Sequence, residues 1–280
     1  MPDLKPLEAG VMFWAGRNAL ETVREVKGLG VRSGQLLIPG PVAADLPAAA
    51  EWKRALDSEG FRLVTLFAAY DGEDYTDVRT IQDTVGWIPP ATRAQRLRRT
   101  FELSDFGCIL GAPSIGLHVG FVPEDHNDSN YIAVREMTRM VCDYAASNGQ
   151  TFALETGQEP AHVLLEFFRD VGRENLRINF DPANMIMYGT GDPIEALQVL
   201  GPHVVSVHAK DGTWPKKGDP RGLGGEEPLG KGDVGMERFV TALKKIGYRG
   251  TLNIEREIPD HARQLADIRA GVELLNRLTA

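Results

Sequence analysis

Short apolar runs of strand length recur along the chain, each followed by a longer stretch whose apolar residues fall at helical spacing. Eight such pairs can be counted, and that alternation is the pattern of repeated βαβ units, whose parallel sheet must be covered by helices. The strand candidates are Ala9 to Trp14, Ser33 to Ile38, Phe61 to Phe67, Ser114 to Val119, Thr151 to Glu155, Leu176 to Phe180, Val204 to His208 and Thr251 to Glu255. Between them lie helical candidates from Asn18 to Lys27, Ala43 to Ser58, Pro90 to Gly107, Asn130 to Asn148, Ala161 to Val171, Ile194 to Leu200, Met236 to Ile246 and His261 to Leu278. Asp192-Pro193 reads as an N-cap followed by proline in the first turn. Asn148-Gly149 and Ile246-Gly247 place a glycine where a helix must stop. The pattern predicts an α/β fold, a (β/α)8 TIM barrel with residues 1–280 as a single domain, because such barrels fill about 250 residues.

Composition narrows the partners. A formal net charge of −8 argues against attraction to nucleic acid phosphates or to an anionic membrane. Cys108 and Cys142 are the only cysteines, too few for a disulfide framework or a thiolate cage, which fits a reducing cytoplasm. The N-terminus carries no basic-then-apolar run of a signal peptide, and no apolar stretch approaches the roughly 18 residues needed to span a bilayer. The expected partner is a small molecule.

Long loops follow the third, fourth and seventh strand candidates: Ala68 to Pro89, Gly120 to Ser129 and Ala209 to Gly235. In a barrel, all three lie on the C-terminal face, where length suggests a substrate enclosure. The last is rich in Gly, Pro and Lys and reads as a mobile segment.

Four successive strand candidates end in a residue able to bind a cation: Glu155, Asp181, His208 and Glu255. A single acidic residue at a strand end normally caps the next helix or sits solvated in a turn. Four in a row are different, because neighbouring strands lie about 4.8 Å apart and their ends converge on one point. Three carboxylates and one imidazole suit one divalent metal ion, with Mn2+ placed first and Mg2+, Co2+, Fe2+ or Zn2+ as alternatives.

The runs Leu-Glu155-Thr-Gly, Asn-Phe-Asp181-Pro-Ala-Asn184, Val-His208-Ala-Lys210-Asp211, Pro228-Leu-Gly-Lys-Gly232 and Ile-Glu255-Arg-Glu257 resemble the xylose-isomerase-like TIM-barrel superfamily, in its sugar phosphate isomerase/epimerase branch. Leu117-His118-Val-Gly-Phe is similar to that branch's fourth-strand motif. The resemblance to its ketose 3-epimerases implies that Glu155, Asp181, His208 and Glu255 bind the metal. It also implies that Glu155 and Glu255 are the catalytic pair exchanging protons with substrate. Two positions depart from those epimerases: Asn184 stands where a histidine is usual, and Trp214 where an arginine is usual. The His-Ala-Lys-Asp run is similar instead to inosose dehydratase and hydroxypyruvate isomerase relatives, which makes Lys210 a candidate second proton donor or oxyanion stabiliser.

Substrate-binding candidates are His118, Gln158, Asn184, Lys210 and Trp14, with Phe67 and Trp87 as further aromatic candidates for a sugar floor. Glu159 reads equally as a reader of sugar hydroxyls or a helix cap, and Arg256 with Glu257 as a salt-bridged rim. The expected reaction is isomerisation or epimerisation of a ketose or related keto-sugar by enolisation. The alternatives are an inosose dehydratase or keto-glycoside lyase on the same metal site, and a non-catalytic sugar-binding barrel. An abasic-DNA endonuclease, which shares the superfamily barrel, is disfavoured by the acidic charge and the shortage of histidine ligands. The resemblance further implies a homodimer or homotetramer.

Overall fold

Eight parallel strands close on themselves in the computed structural model, which describes residues 5–16 and 18–280. In chain order the strands are β1 (Ala9–Trp14), β2 (Ser33–Ile38), β3 (Arg62–Ala68), β4 (Ser114–Leu117), β5 (Thr151–Glu155), β6 (Leu176–Phe180), β7 (Val204–Ala209), β8 (Asp211–Gly212), β9 (Glu226–Glu227) and β10 (Leu252–Ile254). The barrel runs β1-β10-β7-β6-β5-β4-β3-β2, while β8 and β9 pair antiparallel outside it. Closure is made by β1 against β10, with Ala9 opposite Leu252 and Val11 opposite Ile254. The expected (β/α)8 architecture is therefore observed, with strand ends shifted by a residue or two.

The helices are α1 (Ala19–Lys27), α2 (Leu46–Glu59), α3 (Val78–Thr84), α4 (Arg93–Leu110), α5 (Ser129–Ser147), α6 (Ala161–Val171), α7 (Pro182–Tyr188), α8 (Pro193–Leu200), α9 (Met236–Lys245) and α10 (His261–Thr279). Local chemistry explains their starts. The side chains of Asn18, Asp45, Asp77, Asp128, Asp192 and Asp260 each accept a first-turn N–H, which satisfies donors that have no partner inside the helix. Gly149 and Gly247 take the left-handed conformation (φ 70° and 75°) that turns the chain back toward β5 and β10. In α6 the buried residues Leu164, Phe167, Phe168 and Val171 repeat at i, i+3, i+4 and i+7, the stripe that packs a helix on a sheet.

Two helices were not expected from the pattern. The residues of α7 from Pro182 to Met187 are all buried, so no polar face marks its period. The other, α3, is one short segment inside the long loop after β3, begun by the Asp77 cap. Among the described residues, no helix is long and apolar enough to cross a membrane.

Strand alternation sends successive side chains to opposite faces. Leu36, Leu66, Ile178, Phe180, Val207 and Ile254 belong to the hydrophobic core. Their neighbours Gln35, Thr65, Asn179, Ser206 and Asn253 are buried polar residues that bond to one another or to strand backbone. Gln35 Nε2 donates to Asn179 Oδ1 at 2.9 Å and also to Ser206 Oγ, and Asn253 Nδ2 donates to Val207 O at 3.1 Å. Beneath its mouth the barrel is thus filled by a polar network. Space inside is tight: a Cβ on Gly116 would lie 2.7 Å from the Phe67 ring, so β4 needs glycine at that position to admit Phe67.

Candidate active site

At the C-terminal ends of β5, β6, β7 and β10, Glu155, Asp181, His208 and Glu255 each offer one ligand atom, all within 4.8 Å of one another. His208 Nδ1 lies 2.9 Å from Glu155 Oε1, 3.4 Å from Asp181 Oδ2 and 2.8 Å from Glu255 Oε2. One ring nitrogen carries at most one hydrogen, so it cannot satisfy three carboxylates. Glu255 Oε2 is buried and accepts no hydrogen bond despite its short approach to the ring. Buried carboxylates in this number require a positive charge. Nδ1 either carries a proton toward them or turns its lone pair to a cation, and the mixed O and N donor set fits a divalent ion.

Burial pushes the Glu155 carboxyl up to about 7 against the lowering pull of His208. Burial also raises Glu255, but the charges of His208 and Lys210 outweigh it and hold that group at about 2. The opposite balance holds for His208: burial lowers it, yet Glu255 and Glu155 together lift it well above its usual range.

Three of the four candidate ligands are held from behind. Asp181 Oδ1 caps α7 by accepting from Asn184 N at 2.9 Å, while Oδ2 faces His208, so capping the helix leaves its second oxygen available to the cluster. His208 Nε2 lies 2.6 Å from Gln35 Oε1, and the Gln35 amide nitrogen is already committed to Asn179 and Ser206. Gln35 therefore accepts from Nε2–H and leaves Nδ1 facing the carboxylates. Asn184 Nδ2 donates to Glu155 Oε1 at 3.2 Å.

Above the cluster opens a cavity of about 640 Å3 whose wall includes Glu155, Asn184, Lys210, Glu255, His118 and Trp14. Lys210 Nζ sits 3.0 Å from Glu257 Oε2 and 3.4 Å from Glu255 Oε2. Burial would lower the ammonium, but those carboxylates raise it well above its ordinary range, so Lys210 stays charged. His118 is neutral, held at about 3 by burial with the Lys210 charge adding to it. Its Nδ1 accepts from Gly120 N at 3.1 Å, and the Tyr75 ring meets its ring edge-on at 5.8 Å.

Other sequence candidates fall elsewhere. Trp87 is fully buried, donates from Nε1 to Tyr70 Oη at 3.0 Å and packs on Phe152 at 5.7 Å; it is core, not a sugar floor. Gln158 touches His118 from outside the cavity wall. Glu159 accepts from Val122 N at 2.7 Å and ties down the loop after β4. Arg256 does not pair with Glu257 but with Glu226 and Asp267, each at 2.9 Å.

The loop from 209 to 235 is tied down at several points. The Asp211 carboxylate accepts from Gly230 N at 2.8 Å and Val234 N at 3.2 Å. Farther along, Arg221 O accepts from Val78 N at 3.1 Å and Met187 O from Gly224 N at 2.8 Å. These bonds bring Leu223, Gly224 and Glu226 to the cavity. The sequence pattern did not single out Gln35, nor Tyr75 and Tyr188, which line the cavity. A signal existed for the first, since Gln35 is a polar amide leading directly into the apolar Leu-Leu-Ile of a strand candidate.

A family model described as xylose isomerase-like TIM barrel matches residues 23–278. The crystal structure of a xylose isomerase domain protein from Planctomyces limnophilus superposes with a TM-score of 0.92 at 42% identity, covering 98% of this chain and 97% of that one. An uncharacterized protein of Methanocaldococcus jannaschii is 26% identical over 212 residues, 69% of each chain. The D-allulose 3-epimerase from Methylomonas sp. shares the fold, with a TM-score of 0.70 at 19% identity over 99% of this chain and 100% of that one.

Proposed function

The chain belongs to the xylose isomerase-like TIM barrel family, and from that premise we propose that it is a divalent-metal-dependent enzyme that isomerises or epimerises a keto sugar by enolisation. The carrying observation is the convergence of Glu155, Asp181, His208 and Glu255 within 4.8 Å. Those four residues hold the ion, with Mn2+ our first choice. When bound, such a cation supplies Lewis-acid stabilisation of negative charge on oxygen, worth several kcal/mol.

The remaining work falls to the protein's side chains. Glu155 and Glu255 are the acid/base pair: one removes the proton beside the substrate carbonyl, and the other returns a proton to the opposite face or the adjacent carbon. Lys210 stabilises negative charge on a substrate oxygen from its place between Glu255 and Glu257. Asn184 hydrogen-bonds substrate hydroxyls. His118, whose two ring nitrogens are engaged by Gly120 N and Gln158, lines the wall beside it, and Trp14 packs against the bound molecule. We place this chemistry in the cytoplasm, in keeping with the free Cys108 and Cys142.

Dehydration or elimination begins with the same enolisation, and Lys210 is the observation that favours keeping it as a second reading. A buried ammonium in the cavity wall can protonate a departing hydroxyl. Metal analysis together with incubation of keto sugars and inososes in deuterated water tests both readings. The expected result is stoichiometric metal and solvent deuterium at the carbon beside the carbonyl, with the formula conserved for isomerisation or water released for elimination. Absence of metal and exchange, with sugar affinity unchanged in Glu155→Gln, would instead establish a non-catalytic sugar-binding barrel.

A further inference from the structure

Past β10 the chain runs Glu255-Arg256-Glu257, and strand-like alternation sends the two glutamates to one side and the arginine to the other. Both glutamates meet the buried ammonium of Lys210, but the two contacts are unequal. Lys210 Nζ donates to Glu257 Oε2 at 3.0 Å, whereas Glu255 Oε2, 3.4 Å away, is buried and accepts no hydrogen bond. An ammonium carries three donors on a flexible four-carbon stem, so nothing in Lys210 itself keeps it from closing the remaining gap. Were it to close, Glu255 would be committed to a direct charge-assisted bond, and that oxygen would be lost to a cation or a substrate proton.

Glu257 can hold the ammonium back only if it is itself held, because its side chain is 49% exposed and an exposed carboxylate gains little from one ion pair. Its backbone supplies the anchor. Glu257 N donates to both carboxylate oxygens of Glu226, at 3.0 and 3.2 Å. Glu226 Oε1 also accepts from Arg256 Nη1 at 2.9 Å, and Arg256 Nε donates to Asp267 of α10 at 2.9 Å. Glu226 stands on β9, opposite Gly212 of β8, and Lys210 lies between β7 and β8. One hairpin therefore sets both the segment that carries the ammonium and the group that anchors its acceptor.

We infer that Glu257 is a positioning residue: it holds the Lys210 ammonium off Glu255, so that Glu255 stays open to the cation and to the substrate proton. The inference rests on the reading of Glu255 given above and adds what keeps that glutamate free.

The test is a double-mutant cycle on the full chain, with Mn2+ affinity measured by titration calorimetry in the parent, Glu257→Leu, Lys210→Met and the double variant. Removing either charge shifts cation affinity by itself, so the readout is the effect of Lys210→Met in one background divided by its effect in the other. With Glu257→Leu the ammonium is expected to close on Glu255. Removing that ammonium should then raise Mn2+ affinity about tenfold more than it does in the parent, a coupling within the range of contacting residues. A Glu257 that merely supports the fold would leave the two effects equal. Effects of Lys210→Met that agree within about twofold, the limit of additivity, would overturn the positioning role while leaving the metal site standing. A parent protein that binds no Mn2+ would remove the reading of Glu255 as a ligand, and this inference with it.

Discussion

Two arcs of the same barrel mouth do opposite things. Strands β1, β2 and β3 deliver Trp14, Leu37 and Phe67 to the cavity, whereas β5, β6, β7 and β10 deliver Glu155, Asp181, His208 and Glu255 at the corresponding strand ends. The backbone frame is common to both arcs, so the difference is made by side-chain chemistry at equivalent positions. The arcs meet where the Phe67 ring lies 5.0 Å from the His208 ring. Below that seam they share the amide of Gln35, which starts on the apolar arc and ends on His208. At their strand ends, the β5 to β10 arc thus gathers the acidic cluster and the β1 to β3 arc carries apolar side chains.

The sharpest way to break the comparison is Glu255→Gln, which keeps the shape and removes the charge. It is expected to lower proton exchange by about 10²–10⁴-fold and to weaken metal binding, read by exchange NMR and metal analysis; retention of both would dissolve the polar arc as a functional unit. A matching change on the other arc, Phe67→Ala, should act on stability, with a loss of about 3–5 kcal/mol in urea denaturation from an unfilled cavity. Finding instead that Phe67→Ala abolishes metal binding at unchanged stability would show that the arcs are not separable.

Gln35 tests the link between them. Gln35→Leu is expected to weaken Mn2+ binding by about 10–100-fold, because the His208 ring loses the acceptor that orients it, and Gln35→Glu, which keeps an acceptor oxygen, should recover part of that loss. Titration calorimetry measures both. Affinity for Mn2+ within twofold of the parent in Gln35→Leu would rule the amide out as a positioning group.

Glu159 supplies the smallest and most local test, a buried carboxyl outside both arcs. Burial raises it from the ordinary 4.5 to about 7, so between those values the unfolded chain has released a proton that the folded chain retains. Its contribution to stability is therefore fully present below about pH 4.5, declines as pH rises toward about 7, and is flat above. Glu159→Gln is expected to flatten that slope in denaturation midpoints compared at about pH 5 and about pH 7.5. An unchanged slope would mean that Glu159 is ionised within the fold.

Much of this protein could be read from local patterns. Short apolar runs and helical spacing are properties of neighbouring residues, so the eight barrel strands and most of the helices were visible with end errors of up to three residues. The clustering of Glu155, Asp181, His208 and Glu255 was visible for a related reason: once the strands close into a barrel, their ends must share one face. What only the tertiary structure decided depends on how distant segments meet. Trp14 lies in the cavity wall and Trp87 in the core, though one ends a strand candidate and the other lies in the loop after one, because the first strand end faces the opening while the loop after β3 folds its tryptophan inward onto Tyr70 and Phe152. Likewise α7 hid because a wholly buried helix has no polar face. The bond from Gln35 to His208 joins residues 173 positions apart, and barrel closure alone brings such a pair within 2.6 Å. Local sequence carries periodicity, whereas register and curvature set which side chains touch across the barrel.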